Sequence, residues 1–175
     1  MQPDLLYRPD FLTDSGSLLA TLQASVIWDE RLRARKTASF GEAYDYSQIR
    51  YEWQAMPEIL AQIAQAMAPI IGFVPNNCLI NYYPDGESSM GFHSDALDQL
   101  APDTGVAILS LGASRQLVFR AKRNKSVEYS YPLQAGSLLY MPPAIQTEWL
   151  HAIPKQPGAG ARISLSFRKI AGPGI

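Results

Sequence analysis

Soft and nitrogen metal ligands are scarce in this chain, which has two histidines, His93 and His151, and one cysteine, Cys78. A single cysteine excludes an intrachain disulfide and a thiolate metal cluster, and its apolar surroundings favour a buried, inert thiol. The N-terminus lacks a basic segment followed by an apolar one, and no apolar run reaches the length of a membrane span. We therefore expect a cytoplasmic protein that has no membrane partner.

An excess of charge of one sign is also missing. The formal net charge is -1, so no strong overall field draws the chain onto nucleic acid. Two local clusters, residues 31–36 and 115–125, are basic, and each is either a nucleic-acid-binding patch or an ordinary solvated surface. Hydrophobic residues make up 47% and charged residues 18%, which indicates a compact globule. Without a visible repeat or linker, we predict one domain over residues 1–175.

The spacing of apolar residues predicts a mainly β chain of the α+β class. Helices are predicted near residues 17–22 and over residues 57–67, where Ile59, Ile63 and Met67 share one face. From residue 77 onward, short apolar stretches bounded by turn residues predict strands of a sandwich, jelly roll or barrel. These stretches are residues 79–83, 106–111, 116–120, 127–132, 137–141, 148–153 and 163–167. The chain is thus predicted to pack an N-terminal helical layer on a β core.

Both histidines stand where a mononuclear metal site would need them. His93 and Asp95 form a His-x-Asp, and residues at i and i+2 point to one side of an extended segment. A third ligand has to come from a distant strand, and His151 is the candidate. Two imidazoles and one carboxylate are the facial triad that binds Fe(II) and leaves positions open for substrates. The alternative is an exposed loop histidine at 93 and a hydrogen-bonded strand histidine at 151.

Two arginines downstream favour the metal interpretation. Arg162 and Arg168 flank the stretch Ile-Ser-Leu-Ser-Phe, and their even spacing places them on one face of a strand. A buried positive charge is costly unless it is paired. A dicarboxylate co-substrate, or Asp95, would pair with it, whereas the alternative is that both arginines extend to a sheet edge. The combination is typical of an oxygenase.

Residues 78–170 resemble the AlkB-type family of 2-oxoglutarate- and Fe(II)-dependent dioxygenases. Four motifs match in order: Asn81-Tyr82-Tyr83 before Pro84-Asp85-Gly86, His93-Ser94-Asp95, the turn Gly112-Ala113-Ser114-Arg115 with Phe119, and the closing strand from Arg162 to Arg168. The resemblance implies a double-stranded β-helix (jelly roll) core over residues 77–170. Residues 1–76 would be an N-terminal extension and a substrate lid.

The same resemblance implies the cofactors and their ligands. Fe(II) would be held by His93, Asp95 and His151, with 2-oxoglutarate and O2 as co-substrates. The implied 2-oxoglutarate-binding residues are Arg162 at its distal carboxylate, Arg168 near its chelating carboxylate, the donors Asn81 and Tyr83, and Ser164, which stands where the family usually has Asn.

The substrate is indicated less directly. Residues 43–47 are similar to the family's nucleotide-recognition lid, so Tyr46 would stack on an extruded base and Tyr44 would line the mouth. Repair members carry an acidic residue two positions after the metal Asp that reads the base's exocyclic amine, but this chain has Leu97, which cannot accept a hydrogen bond. Asp98 would have to replace it.

We therefore expect an enzyme that oxidatively demethylates N-alkylated nucleobases. Its partner would be alkylated single-stranded DNA or RNA, and no stable protein partner is implied. The alternatives are a same-fold oxygenase that acts on a protein or a small molecule, and a non-catalytic β-helix binding module.

Overall fold

Strands dominate the computed structural model of the chain, which describes residues 1–172. The predicted domain's last positions, 173–175, lie outside the described residues. In chain order the elements are β1 (Leu6–Arg8), α1 (Ser15–Ser25), β2 (Lys36–Gly41), β3 (Tyr44–Tyr46), β4 (Ile49–Tyr51), α2 (Glu58–Ile71), β5 (Asn77–Tyr83), β6 (Met90–His93), β7 (Val106–Gly112), β8 (Arg115–Ala121), β9 (Glu128–Leu133), β10 (Leu138–Met141), α3 (Pro143–Glu148), β11 (Trp149–Ile153) and β12 (Arg162–Arg168).

Two antiparallel sheets and a small hairpin account for these strands. The larger sheet has the order β1-β10-β7-β12-β5-β2, the smaller one β6-β11-β8-β9, and β3 pairs with β4. One apolar cluster lies between the larger sheet and the helices α1 and α2. A second cluster joins residues of the larger sheet to residues of the smaller one. The molecule is therefore layered as helices, larger sheet and smaller sheet.

The strand β12 shows how the sequence separates the core from the site. Its residues alternate between polar or charged and apolar side chains, and all of them are buried. Because neighbouring side chains on a strand point to opposite faces, Ile163, Leu165 and Phe167 pack toward the helices. The opposite face carries polar and charged side chains: Arg162, Ser164, Ser166 and Arg168. One strand thus serves the core and the pocket at once.

Sequence and structure agree closely in the core. The prediction of a mainly β chain is confirmed, and each predicted strand begins and ends within two residues of an observed one. The predicted helices correspond to α1 and α2, and α2 ends at Gly72, which adopts the left-handed conformation with a φ of 93°.

The N-terminal part differs from the predicted helical layer. It also contributes β1 and β2, which form the two outer edges of the larger sheet, and the hairpin of β3 and β4. The strand β2 has buried Thr37 and Ser39 in the positions where a strand normally shows apolar residues, so its pattern is weak. Among the described residues, no helix is long and apolar enough to span a membrane.

Candidate metal and co-substrate site

The pairing of β6 with β11 brings both histidines together. His93 is the last residue of β6, His151 lies in the middle of β11, and the two are direct cross-strand partners. Their ring centroids are 4.3 Å apart, and His93 Nε2 lies 3.5 Å from Asp95 Oδ1. One ligand atom from each of the three residues falls within 4.8 Å of the others. This is the arrangement that a single metal ion requires.

Asp95 lies beyond the end of β6, so it is held by side chains rather than by the sheet. Its backbone N–H donates to Gln146 Oε1 at 2.7 Å, and its Oδ2 accepts from Arg168 Nη2 at 3.2 Å. Burial alone would raise the pKa of Asp95, but the Arg168 guanidinium holds the pKa well below its usual range. The carboxylate is therefore ionised, as a metal ligand must be.

Both imidazoles have an unprotonated ring nitrogen that can bind a metal ion. His93 Nδ1 lies 2.8 Å from the carbonyl oxygen of Gly91. Because a carbonyl can only accept, Nδ1 carries the proton, and Nε2 is left free toward Asp95. Burial lowers the pKa of His151 to about 4, so this imidazole is neutral at neutral pH. The donor set suits a divalent ion that accepts nitrogen and oxygen ligands.

The second part of the site is a buried cation with spare donors. Arg162 is 1% exposed, and its only hydrogen-bond partner among residues 1–172 is Ser110 Oγ, at 3.1 Å from Nη2. The guanidinium stacks over the Tyr83 ring at 5.1 Å, while Nε and Nη1 find no partner in the described chain. Burial lowers the pKa of Arg162. An unpaired buried guanidinium of this kind fits a carboxylate, which it can bind through two parallel hydrogen bonds.

Arg168, at the other end of β12, is already paired. It donates to Asp95, and its guanidinium lies 4.7 Å from the centroid of the Tyr44 ring. Burial alone would lower the pKa of Arg168, but Tyr44 and Asp95 raise it. Both arginines are buried, which excludes the alternative that they extend to a sheet edge.

The pocket between these groups also contains residues of β5. Asn81 and Tyr83 line it together with Ser164 of the neighbouring strand. Asn81 Oδ1 accepts a hydrogen bond from Arg35 Nε at 2.8 Å, so the amide nitrogen is left as the donor of this side chain. The residues expected around a 2-oxoglutarate molecule therefore share one pocket with the three metal-binding side chains.

Arg35 is a site residue that sequence reasoning missed. It belongs to the basic cluster at 31–36, but it is buried and also donates to the hydroxyl of Tyr46 and the carbonyl of Ser89. Arg115, from the second cluster, is likewise buried and donates to three backbone carbonyls, those of residues 85, 88 and 154. Neither arginine is a solvated surface group. The family motif at 112–115 singles out Arg115, whereas no sequence signal distinguishes Arg35 from its exposed neighbours.

The hairpin of β3 and β4 stands at the mouth of the pocket. Tyr44 and Tyr46 stack with ring centroids 6.3 Å apart, and both line a cleft that continues from the metal-binding residues toward solvent. Gln99 bonds the hairpin to the loop after Asp95, since it accepts from Asp45 N at 3.0 Å and donates to Asp45 O at 3.1 Å. Burial raises the pKa of Tyr46 to about 12, so its hydroxyl stays protonated.

A family model described as the 2OG-Fe(II) oxygenase superfamily matches residues 20–168. The chain belongs to this superfamily. As its name states, members use Fe(II) and 2-oxoglutarate, and the pocket described above fits both groups.

Named relatives place the chain with the AlkB-type members, as predicted. Human "DNA oxidative demethylase ALKBH2" is 34% identical over 78% of this chain and 56% of that protein. Rat "Alpha-ketoglutarate-dependent dioxygenase alkB homolog 3" is 30% identical over 91% of this chain and 61% of that protein. The chain therefore spans about three fifths of the length of these relatives. The solved structure of OsALKBH1 superposes with a TM-score of 0.69 at 16% identity, covering 97% of this chain, and shows the same fold.

Proposed function

We propose that this chain is an Fe(II)- and 2-oxoglutarate-dependent dioxygenase that oxidatively demethylates N-alkylated nucleobases in DNA or RNA. The observation that carries the proposal is the cluster of His93, Asp95 and His151, which shares its pocket with the unpaired guanidinium of Arg162. The relatives named as DNA oxidative demethylases support the nucleobase as substrate.

We further infer that the two sheets form the family's double-stranded β-helix and that residues 1–175 are a single domain. The likeness to OsALKBH1 supports the first inference. The second is supported by β1 and β2, because these N-terminal strands pair with β10 and β5 of the core. An N-terminal extension that completes the core sheet would not fold separately from it.

In this function His93, Asp95 and His151 hold the iron. A bound iron supplies the oxidising chemistry of the family, in which 2-oxoglutarate and dioxygen are consumed and succinate and carbon dioxide are released. Arg168 keeps Asp95 ionised and oriented, since it donates to the Oδ2 atom. The pocket walls exclude water from this centre, because the residues of β7, β8 and β12 that line it are aliphatic or buried.

Binding of 2-oxoglutarate falls to the residues on β5 and β12. Arg162 would pair with the distal carboxylate, which relieves the cost of a buried unpaired charge. Asn81 would donate through its amide nitrogen, whose orientation Arg35 fixes. Tyr83 and Ser164 would complete the set of hydroxyl groups around the molecule.

The nucleobase would enter through the cleft at the hairpin. Tyr46 would stack on the extruded base and Tyr44 would support it from its position over Arg168. If the carbon that is oxidised belongs to an N-methyl group, the hydroxymethyl product loses formaldehyde and leaves the unmodified base. Both rings are buried, Tyr44 at 2% and Tyr46 at 8% exposed, so Tyr44 would act as support and Tyr46 would offer only part of its ring to a base.

A second candidate is an oxygenase of the same fold that acts on a protein or a small molecule. Leu97, two positions after Asp95, is 36% exposed and offers no acceptor to a base amine. Two arginines of the basic clusters that could have bound nucleic acid, Arg35 and Arg115, instead donate hydrogen bonds inside the protein.

Succinate formation tests the proposal and separates the two candidates. Protein loaded with Fe(II) without oxygen is exposed to air with 2-oxoglutarate, with and without a single-stranded oligonucleotide that contains 1-methyladenine. We expect the oligonucleotide to stimulate turnover with equal release of formaldehyde. Succinate formation that does not change when the oligonucleotide is added would favour the second candidate. Competition by an unmodified single-stranded oligonucleotide at increasing salt concentration shows whether the protein binds nucleic acid.

The iron ligands have their own test in the same assay. His93→Ala or Asp95→Ala should abolish succinate formation, while Asp10→Ala, which removes an exposed carboxylate, should leave it unchanged. Full activity of either ligand variant would refute the assignment of the site.

A further inference from the structure

Asp95 differs from the other two metal-binding residues in how it is held. His93 and His151 lie on paired strands, and their pairing fixes the separation of their rings. The pairing of β6 with β11 stops at His93, because β6 ends there. Asp95 therefore has no partner among the described strands, and its backbone N–H needs an acceptor from a side chain.

Gln146 provides this acceptor. It lies in α3, the short helix that leads directly into β11, and it is 3% exposed. Its Oε1 accepts from Asp95 N at 2.7 Å, which is a short and well-formed hydrogen bond. The bond connects the loop that carries Asp95 to the segment that carries His151, so two of the three metal-binding segments are joined at this point.

The other contacts of Gln146 are weak or come from its backbone. Within residues 1–172, the one partner of its Nε2 is Met141 Sδ at 3.9 Å, and its backbone carbonyl accepts from Lys122 Nζ at 2.7 Å. A buried amide is costly unless it is hydrogen-bonded. The side chain therefore gains its main polar contact from Asp95, and the direction of that contact is fixed, because a backbone N–H can only donate.

We propose that Gln146 is a positioning residue that orients Asp95 for the metal ion. Arg168 pulls one carboxylate oxygen of Asp95 toward itself, and the Gln146 bond holds the backbone so that the other oxygen stays beside His93 Nε2. Without Gln146, the carboxylate is free to turn further toward Arg168 and away from the histidines. The inference rests on the three ligands assigned in the proposed function, but not on the identity of the substrate.

Metal affinity measures this role directly. Gln146→Met keeps a buried side chain of similar length and removes the acceptor. In metal-free protein titrated with Mn(II), where electron paramagnetic resonance reports the free ion, we expect the Kd to rise about 10- to 100-fold, the usual effect of losing a residue that orients a metal ligand. Gln146→Glu keeps an acceptor of the same reach and adds a negative charge that attracts the cation, so its affinity should not fall below that of the wild type.

Tyr140→Phe is the matched control. Tyr140 is buried, and its hydroxyl accepts from the backbone N–H of Gly105 at 2.9 Å, on the helix-facing side of the larger sheet. This variant loses the same kind of hydrogen bond away from the metal, so its melting temperature should fall while its Mn(II) affinity stays unchanged.

Each outcome then decides a separate point. Unchanged affinity in Gln146→Met, or equal weakening in Tyr140→Phe, would overturn the positioning role. If Gln146→Met does not fold, Gln146→Asn replaces it, because its side chain is one carbon too short to reach Asp95 N and should weaken Mn(II) binding while Gln146→Glu does not. Wild-type protein that binds no Mn(II) at a single site would instead refute the ligand assignment itself.

Discussion

Removing the charge of Arg162 should separate stability from co-substrate binding. In Arg162→Met without 2-oxoglutarate, the protein loses the hydrogen bond to Ser110 and the contact with the Tyr83 ring. Together these are worth about 2 kcal/mol. It also loses the desolvation penalty of a buried charge with two unpartnered nitrogens, which amounts to several kcal/mol. The free energy of unfolding without 2-oxoglutarate should therefore be higher for the variant than for the wild type.

Co-substrate binding should change in the opposite direction. A carboxylate that enters the variant pocket is buried without its cation, which costs about 3 kcal/mol, or about two orders of magnitude in the KM for 2-oxoglutarate. We therefore expect a melting temperature for the 2-oxoglutarate-free variant that equals or exceeds that of the wild type, together with this loss of affinity. Succinate formation against 2-oxoglutarate concentration and thermal unfolding measure the two effects.

Arg115→Met provides the contrasting control. Arg115 is also buried beside the Tyr83 ring, at 5.5 Å, but its guanidinium is occupied by backbone carbonyls. Its loss leaves these carbonyls unsatisfied, so the melting temperature should fall and the KM should change little. A destabilised Arg162→Met whose KM for 2-oxoglutarate stays within about twofold of the wild type, far below the loss expected for a charge-assisted pair, would refute the reasoning.

Two further predictions concern the hairpin of β3 and β4 and the pH dependence. Gln99→Ala removes both hydrogen bonds to Asp45, so the KM for a methylated oligonucleotide should rise while the KM for 2-oxoglutarate stays constant; a parallel rise in both would contradict a role confined to the hairpin. Burial lowers the pKa of His151 from 6.5 to about 4, so the unfolded chain takes up a proton at a higher pH than the folded one. The free energy of unfolding of the metal-free protein is therefore highest above pH 6.5 and should fall by about 3 kcal/mol between that pH and 4. Urea unfolding in chelator checks this, and His151→Asn should flatten the profile.

The sequence was most informative where local pattern and burial agree. The alternation of β12 between apolar and polar residues predicted both its core face and its pocket face, and the spacing of His93, Asp95 and His151 predicted their grouping. Such patterns are readable because a strand has a fixed period of two. The two-residue spacing between His93 and Asp95 correctly indicated that their side chains lie together, even though Asp95 lies beyond the end of β6.

The remaining features depend on partners that are distant in the chain. Nothing around Arg35 indicates that its acceptors are Asn81 and Tyr46, so a buried site arginine resembles its surface neighbours. The same holds for Gln146, whose acceptor role depends on where β6 ends. Short edge strands such as β1, with three residues, carry too few positions for a periodic signal.

The position of the two histidines has a consequence for how the smaller sheet behaves. The strand β6 is one of the two outer strands of this sheet, has four residues, and pairs only with β11 within the sheet. A metal ion bound by His93 and His151 would link these two strands. At a free-ion concentration of about 100 times its Kd, it would stabilise their pairing by about 2.7 kcal/mol. Amide protons of β6 should then exchange with solvent quickly in chelated protein and slowly once the ion is present. The bound ion would thus hold the outer strand β6 against β11, and loss of the ion would let β6 separate from the sheet as well as remove the metal that the proposed reaction needs.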